Sequence, residues 1–371
     1  MRGRPGLFTR YEDASAILPN GTQKLWMGIG IAALVVAPFV VDRATLILLA
    51  TAVVASIGAI GLNLVTGYAG QVSLGHAFFL GIGAYTAAAF GGRVEEGKEL
   101  IAFGLDLSIS LPAAGLVAAL CGIVVAPVAL RLRGLYLALV TLGLVFLGEH
   151  IFRSWTELTG GQGVGREPVA LSLFGYRFDL DGSIGGLNLI REQQIYFLAL
   201  VVMIVMAVLA KNLVRSRVGR AFAAVRDRDI AAEVMGVNLT RYKVLAFAVS
   251  SFYAGVAGAL LYTVTGFIEP SAFNLFLSVA YIAMVVIGGA ASIAGSIAGA
   301  FFITLLPEII ERVIHALPID AETLFTSIST AQIERILFGV LIIVFLIFEP
   351  LGLYGIWIRI RNYWKAFPFS Y

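Results

Sequence analysis

Charge is scarce in this chain. Only 13% of its 371 residues are Asp, Glu, Lys or Arg, and 59% are hydrophobic. A soluble globular domain carries roughly 25% charged residues, so this balance leaves no room for a separate soluble domain. Cysteine is nearly missing: Cys121 stands alone. That excludes an intramolecular disulfide, and its place inside an apolar run reads as packing. The three histidines, His76, His150 and His315, fall in unrelated segments, with no His-x-x-x-His or Cys-x-x-Cys spacing for a metal. No GxSxG elbow and no GxxxxGK[ST] loop occurs. The chain is therefore expected to be no enzyme, with no catalytic residue, metal or cofactor of its own. If ATP drives its work, a different chain handles the nucleotide. The opening MRGRPGLFTRYEDASAILPNGTQK is too polar and too long for the n-region of a cleaved signal, so the first apolar run is expected to remain as a helix.

Long apolar runs fill most of the rest. Each is about the 17–25 residues that cross ~30 Å of hydrocarbon as a helix. The reading is an all-α polytopic membrane protein with about ten transmembrane helices, at 25–41, 44–64, 74–92, 109–130, 134–151, 194–210, 243–265, 275–288, 293–311 and 334–349. The eighth is short, and the eighth and ninth also fit one broken or re-entrant unit. Residues 1–24 form an N-terminal segment, 25–350 the membrane domain with a polar loop at 211–242, and 351–371 a tail.

Lys and Arg set the orientation, because such loops stay on the cytoplasmic side. Residues 1–24 hold Arg2, Arg4, Arg10 and Lys24, and the link at 131–133 is Arg-Leu-Arg. Residues 211–243 carry Lys211, Arg215, Arg217, Arg220, Arg226, Arg228, Arg241 and Lys243, and the tail carries Arg359, Arg361 and Lys365. Ten spans put all of these on one side, so both termini are expected in the cytoplasm. The sequon Asn20-Gly21-Thr22 falls on that side and carries no weight. Glu149, His150 and Glu308 lie near outer helix ends, and no Asp/Glu/His series runs through an apolar segment to relay protons.

Two polar breaks interrupt the pattern. Thr66-Gly-Tyr-Ala-Gly-Gln-Val-Ser-Leu-Gly-His76 follows the second run, and Thr265-Gly-Phe-Ile-Glu-Pro-Ser-Ala-Phe-Asn274 follows the seventh. Both begin Val-Thr-Gly-aromatic and lead into helices rich in small residues, of the kind that pack backbone to backbone. With one break cytoplasmic and the other external, this is the pattern of an inverted repeat. Thr66, Gly67, Gln71, Ser73 and His76 are the candidates for a translocation path, since unwound backbone at membrane depth is tolerated where it lines a cavity or is buried in protein. A plain inter-helix turn is the other reading.

The most charged stretch, GRAFAAVRDRDIAAEVMGVNLTRYK from Gly219 to Lys243, is far longer than a connector requires. At 100° per residue Arg226, Asp229 and Glu233 share one stripe, and Ala223, Ile230 and Val234 another. Asp229 reads as an N-cap for Ile230–Met235, and Gly236 as the residue just past its end. A helix this short is not stable alone and needs a surface to lie on. Gly219, Arg220, Arg226, Asp229, Ile230, Glu233, Val234 and Gly236 are the contact candidates.

Four ordered blocks then carry a resemblance. They are GLNLVTGYAGQVSLGHAFFLGIGAYTAA (61–88), RGLYLALVTLGLVFLGEHIFRSWTELTGGQGVG (133–165), VGRAFAAVRDRDIAAEVMGVNLTRYKVLAFAVSSFYAGVAGALL (218–261), and SVAYIAMVVIGGAASIAGSIAGA (278–300) with the terminal FEPLGLYGIW (348–357). Together they resemble LivM-type permeases of branched-chain amino acid importers in the ABC transporter superfamily. The chain departs from the family where Gly-Gly-x-Gly-Ser is usual, having Gly288-Gly-Ala-Ala-Ser292. The resemblance implies a type II ABC importer-like permease in the bacterial inner membrane, forming half of a pathway for branched-chain or related neutral amino acids. Its implied partners are a homologous second permease, two cytoplasmic ATP-binding subunits and a periplasmic solute-binding protein, within the lipid bilayer and without nucleic acid. The Gly219–Thr240 stretch becomes the coupling segment to an ATPase. Related permeases for urea or short amides share much of the pattern, and an ion-coupled secondary transporter is the rival from another class.

Overall fold

The computed structural model describes residues 21–92, 100–132, 134–166, 172–173, 175–178, 182–184, 187–316, 330–349 and 351–366. Its helices are α1 (Gly21–Val36), α2 (Arg43–Asn63), α3 (His76–Gly91), α4 (Leu107–Arg131), α5 (Leu135–Ser154) and the single turn α6 (Thr156–Thr159). They continue with α7 (Arg191–Arg215), α8 (Arg217–Asp227), α9 (Asp229–Val234), α10 (Leu239–Thr265), α11 (Leu275–Gly288), α12 (Ile293–Ala316), α13 (Thr330–Phe348) and α14 (Gly352–Ala366). Each apolar stretch expected to be helical is helical. Among the described residues, seven helices are long and apolar enough to cross a membrane, while 24–39 and 76–91 are shorter apolar helices. The segment 1–20, with its sequon asparagine, lies outside the described residues.

Two features depart from expectation. The loop between α6 and α7 holds two antiparallel hairpins, Ser172–Leu173 with Tyr176–Arg177 and Gly182–Ile184 with Leu187–Leu189. The fold is thus not purely α, because a loop this long pairs part of its own backbone. The tail also continues as α14, whose Trp357 meets Trp26 of α1 edge-on at 5.6 Å between ring centroids.

Polar residues start the helices. Asn238 accepts from the Arg241 N–H at 3.0 Å, Asn274 from Leu277 at 3.1 Å, and Asp42 from Thr45. Each satisfies a backbone donor that the first turn leaves free. The Thr45 hydroxyl and N–H hold the Asp42 carboxyl below its usual pKa.

Helix α10 is central and packs on α2, α3 and α4. The contact is backbone to backbone: a β-carbon on Gly83 would stand 2.1 Å from the Gly255 carbonyl oxygen, and one on Gly258 would stand 1.9 Å from that of Leu80. Apolar side chains gain little by leaving lipid for protein, so close van der Waals packing between small residues has to hold such helices together. Helices α11 and α12 form a tight pair joined at 289–292, with Gly288 against Gly295 and Met284 against Gly299. They are two distinct helices, and with the preceding 3₁₀ turn the stretch Pro270–Gly288 reaches spanning length.

Candidate functional site

The first break opens as a π-helical turn, Leu64–Tyr68, at the end of α2, and runs on as irregular chain to His76. A π-turn marks a point where the helical ladder is loosened, and such turns gather at functional sites. Thr66 Oγ1 donates to the Gln71 carbonyl at 3.2 Å, and the Gln71 N–H donates to Val65 O at 2.9 Å, so the chain folds back on itself. Ser73 and His76 are buried, at 4% and 2% exposure, and Gln71 at 6%. Gly70 and Val72, on either side of Gln71, are exposed, so the segment is buried in part.

Two of these side chains end in polar atoms without partners. Neither amide atom of Gln71 nor Nε2 of His76 meets a hydrogen-bond partner among the described residues. An unsatisfied buried polar group costs about 1–3 kcal/mol. The His76 ring lies 4.9 Å from that of Tyr281 on α11. One residue on, the Ala77 N–H donates to Ser278 Oγ at 2.9 Å. The helix that follows the first break and the helix that follows the second therefore meet near their starts. Phe273, in the 3₁₀ turn Pro270–Phe273 of the second break, packs with Phe152 and with Tyr85 in the middle of α3, at 6.0 and 5.7 Å between ring centroids. The second break thus reaches inward from its own end of the bundle.

At that other end Arg166 is the organiser that the sequence did not single out. It is 4% exposed, donates to Leu158 O at 2.8 Å and Ile101 O at 2.6 Å, and pairs its backbone with Ile268. Burial draws its pKa below the ordinary guanidinium value. Its backbone pair with Ile268 holds the loop after α5 against the second break.

The charged segment is two helices. Arg228, with φ −154° and ψ 95°, breaks the chain between α8 and α9, so the expected continuous stripes do not form. Asp229 is the first helical residue rather than the cap, because Arg228 occupies the cap position. Its carboxylate still accepts from the Ile230 N–H at 2.9 Å. Gly236 does stand just past α9, at φ +86°. The bonds Gly236 N–H to Glu233 O and Val237 N–H to Ala232 O, each 2.9 Å, make a Schellman motif, which requires the left-handed turn that glycine adopts freely.

Ser216 caps α8, and Gly219 is buried against the Val214 carbonyl, where a β-carbon would stand 1.9 Å away. Arg220 is exposed and donates to Arg215 O at 3.3 Å. Phe222, Val225 and Ala232 face inward, whereas Ile230, Val234 and Met235 are 68%, 82% and 84% exposed. Glu233 is exposed beside them. The segment therefore presents an apolar patch edged by charge on a helix of six residues. Met235, the most exposed of the three, was not among the expected contacts.

The two candidate regions touch. Arg226 Nη1 donates to the Gly67 carbonyl at 3.1 Å, and Arg226 Nε pairs with Asp227 at 2.8 Å. Gly70, at φ +71°, lies so close that a β-carbon would stand 2.7 Å from Arg226 Cγ. Between them opens a cleft of about 250 Å³ that reaches Gln71, the start of α5 and Lys243. Asn63, another residue the sequence did not single out, ties α2 to the α11–α12 link. Its Nδ2 donates to Ser292 O at 3.0 Å and Ser296 Oγ at 2.6 Å, and its Oδ1 accepts from Ala291 N–H at 2.9 Å.

Comparison of the sequence with known proteins gives matches over most of the chain. The family model described as "Branched-chain amino acid transport system / permease component" matches residues 44–346. The high-affinity branched-chain amino acid transport system permease protein LivM of Escherichia coli (strain K12) is 31% identical over 344 residues, covering 89% of this chain and 75% of the relative. LivM of Salmonella typhimurium is 34% identical over 283 residues, 73% of this chain and 64% of the relative. LivH of Salmonella typhimurium, also a permease protein, is 27% identical over 305 residues, 80% of this chain and 90% of the relative. No solved structure matches the chain.

Proposed function

This chain belongs to the family of branched-chain amino acid transport permease components, and from that premise we propose that it forms half of the pathway of an ATP-driven importer. The solute class is branched-chain or related neutral amino acids. The partners are a homologous second permease, two ATP-binding subunits and a solute-binding protein. We read the chain with ten crossings, both termini and the Gly219–Lys243 segment on the cytoplasmic side, and the two breaks as an inverted pair. The meeting of α3 and α11 near their starts supports that pairing.

The observation that carries the proposal is the exposed patch on α9 backed by a direct link to the first break. Burying each of Ile230, Val234 and Met235 in a partner's groove is worth about 1.5–3 kcal/mol. That is ample to seat a six-residue helix that has no stability of its own. Asp229, Glu233 and Arg226 supply the polar rim. Closure of the ATP-binding subunits then pulls on α8, and through Arg226 and Gly70 on the chain at Gly67–Gln71, opening the path past Thr66, Gln71, Ser73 and His76.

The test is reconstitution of the tagged chain with the subunits that accompany it from its native membrane. ATP-dependent accumulation of L-leucine, lost on Asp229→Lys with Glu233→Lys, is the expected result. Uptake driven by a proton or sodium gradient with the chain alone would overturn it.

A further inference from the structure

We propose that α14, together with the start of α1, binds the headgroup of an anionic phospholipid in the cytoplasmic leaflet, with Arg361 as the cation that holds its phosphate. From Leu351 to Tyr371 the sequence carries Arg359, Arg361 and Lys365 and no Asp or Glu. Helix α14 has 15 residues. It reaches about 22 Å, short of the ~30 Å of hydrocarbon. Leu353, Ile356, Trp357 and Ile360 recur at the spacing of one helical stripe. Arg361 follows Trp357 by one turn at the edge of that stripe, and Asn362 lies opposite it. A short helix with an apolar stripe and basic residues beside it rests in the membrane interface.

Protein holds this helix in place. A β-carbon on Gly352 would stand 2.5 Å from the Ile287 carbonyl oxygen and 2.8 Å from the Gly289 nitrogen, so the first turn of α14 is fixed to the end of α11. The edge-on contact of Trp357 with Trp26 joins α14 to α1. Both rings stay partly exposed, at 37% and 56%. Indoles of this kind favour the level of the headgroups. Lys24, two residues before Trp26, is exposed as well.

Arg361 is the cation left over. Arg359 pairs with Glu349. Arg361 is half-buried, its Nε is shut from solvent without a hydrogen-bond partner, and among the described residues no carboxylate pairs with it. Residues four apart on a helix are neighbours, so Arg361 lies beside Trp357. A guanidinium offers a planar fork of N–H donors that fits two phosphate oxygens. The indole pair beside it then covers the glycerol and the first methylenes of the same lipid. A zwitterionic headgroup brings its own counter-charge, whereas an anionic one leaves its charge for the basic residues. The assignment to the cytoplasmic leaflet rests on the topology proposed above.

The experiment uses the full chain purified with its native subunits, titrated in detergent with phosphatidylglycerol or phosphatidylcholine and read by native mass spectrometry. Preferential retention of phosphatidylglycerol is expected. It should weaken about fivefold in Arg361→Met, the worth of one cation near an anionic leaflet, and be largely kept in Arg361→Lys. Equal retention of the two lipids, or undiminished retention in Arg361→Met, overturns the site. Displacement by equimolar glycerol 1-phosphate assigns it to a soluble phosphate and overturns it too. If Arg361→Met fails to assemble, modification of Arg361 by phenylglyoxal is followed in the wild-type complex in bilayer discs. Protection in phosphatidylglycerol discs and not in phosphatidylcholine discs upholds the site. Protection that follows the ATP-binding subunits in either lipid assigns Arg361 to a protein partner, and that result, or no protection at all, overturns it. The leaflet is tested with Asn362→Cys, Cys121 being replaced by Ala, which should react with a water-soluble maleimide in inverted vesicles only. Reaction from the outside removes the proposed topology and the leaflet with it, whereas inside reaction with retention lost removes this site alone.

Discussion

Arg226 and Gly67 are 159 residues apart in sequence and joined by one hydrogen bond of 3.1 Å from guanidinium to carbonyl. It links the charged segment to the first break, and it is reinforced by the close approach of Gly70 to the same arginine. Replacing Arg226 by Met removes the donor but keeps the length of the stem. ATP-driven uptake in vesicles should fall about tenfold, the worth of one charge-assisted hydrogen bond of ~1.4 kcal/mol or more. Co-purification with the ATP-binding subunits should persist. Wild-type uptake in this variant would mean that α8 and the break move independently.

Ile230, Val234 and Met235 contribute little to the fold because they are exposed. Substitution of each by Asp should shift the stability of the isolated chain by no more than about 0.5 kcal/mol, as for other surface positions. The same changes should reduce recovery of ATP-binding subunits in a pull-down. A lowered melting temperature with undiminished recovery would show that the patch packs within this chain.

Ala291 is the non-glycine residue with positive φ, at +58°, among the described residues. It occupies the fourth place of the stretch Gly288-Gly-Ala-Ala-Ser292, where the related pattern has glycine. A left-handed conformation costs an L-residue about 1–2 kcal/mol, partly offset by glycine's greater freedom in the unfolded chain. Ala291→Gly should therefore raise the thermal midpoint in detergent, and Ala291→Val should lower it. No change in either would mean that the link relaxes without cost.

Asn63 makes the three bonds that hold the link to α2. Asn63→Leu leaves the Ala291 N–H without its acceptor and should destabilise the chain by about 1–3 kcal/mol. Thermal unfolding of the purified variant measures it, and an unshifted midpoint would show that the link is held by its backbone alone.

Much of this architecture was legible in the sequence because lipid demands long apolar helices, and the apolar runs that satisfy this stand out. The stop after α9 was legible too, since Gly236 is the residue type that a left-handed turn favours. The split at Arg228 was not. Its extended backbone is imposed by packing α8 and α9 separately, and no proline or glycine announces it. Arg166 and Asn63 escaped for a shared reason. Each acts through partners or neighbours distant in sequence, and a lone polar residue beside an apolar run carries no local pattern. The hairpins between α6 and α7 rest on two- and three-residue strands, too short for an alternating signature.

The measurement closest to the central claim is cross-linking from a cysteine placed at Val234, with Cys121 replaced by Ala, in membranes holding the whole transporter. The expected result is a specific cross-link to an ATP-binding subunit whose yield changes when ATP is added. A cysteine at 234 that reacts freely with water-soluble reagent and cross-links to no ATP-binding subunit, with or without nucleotide, would contradict it.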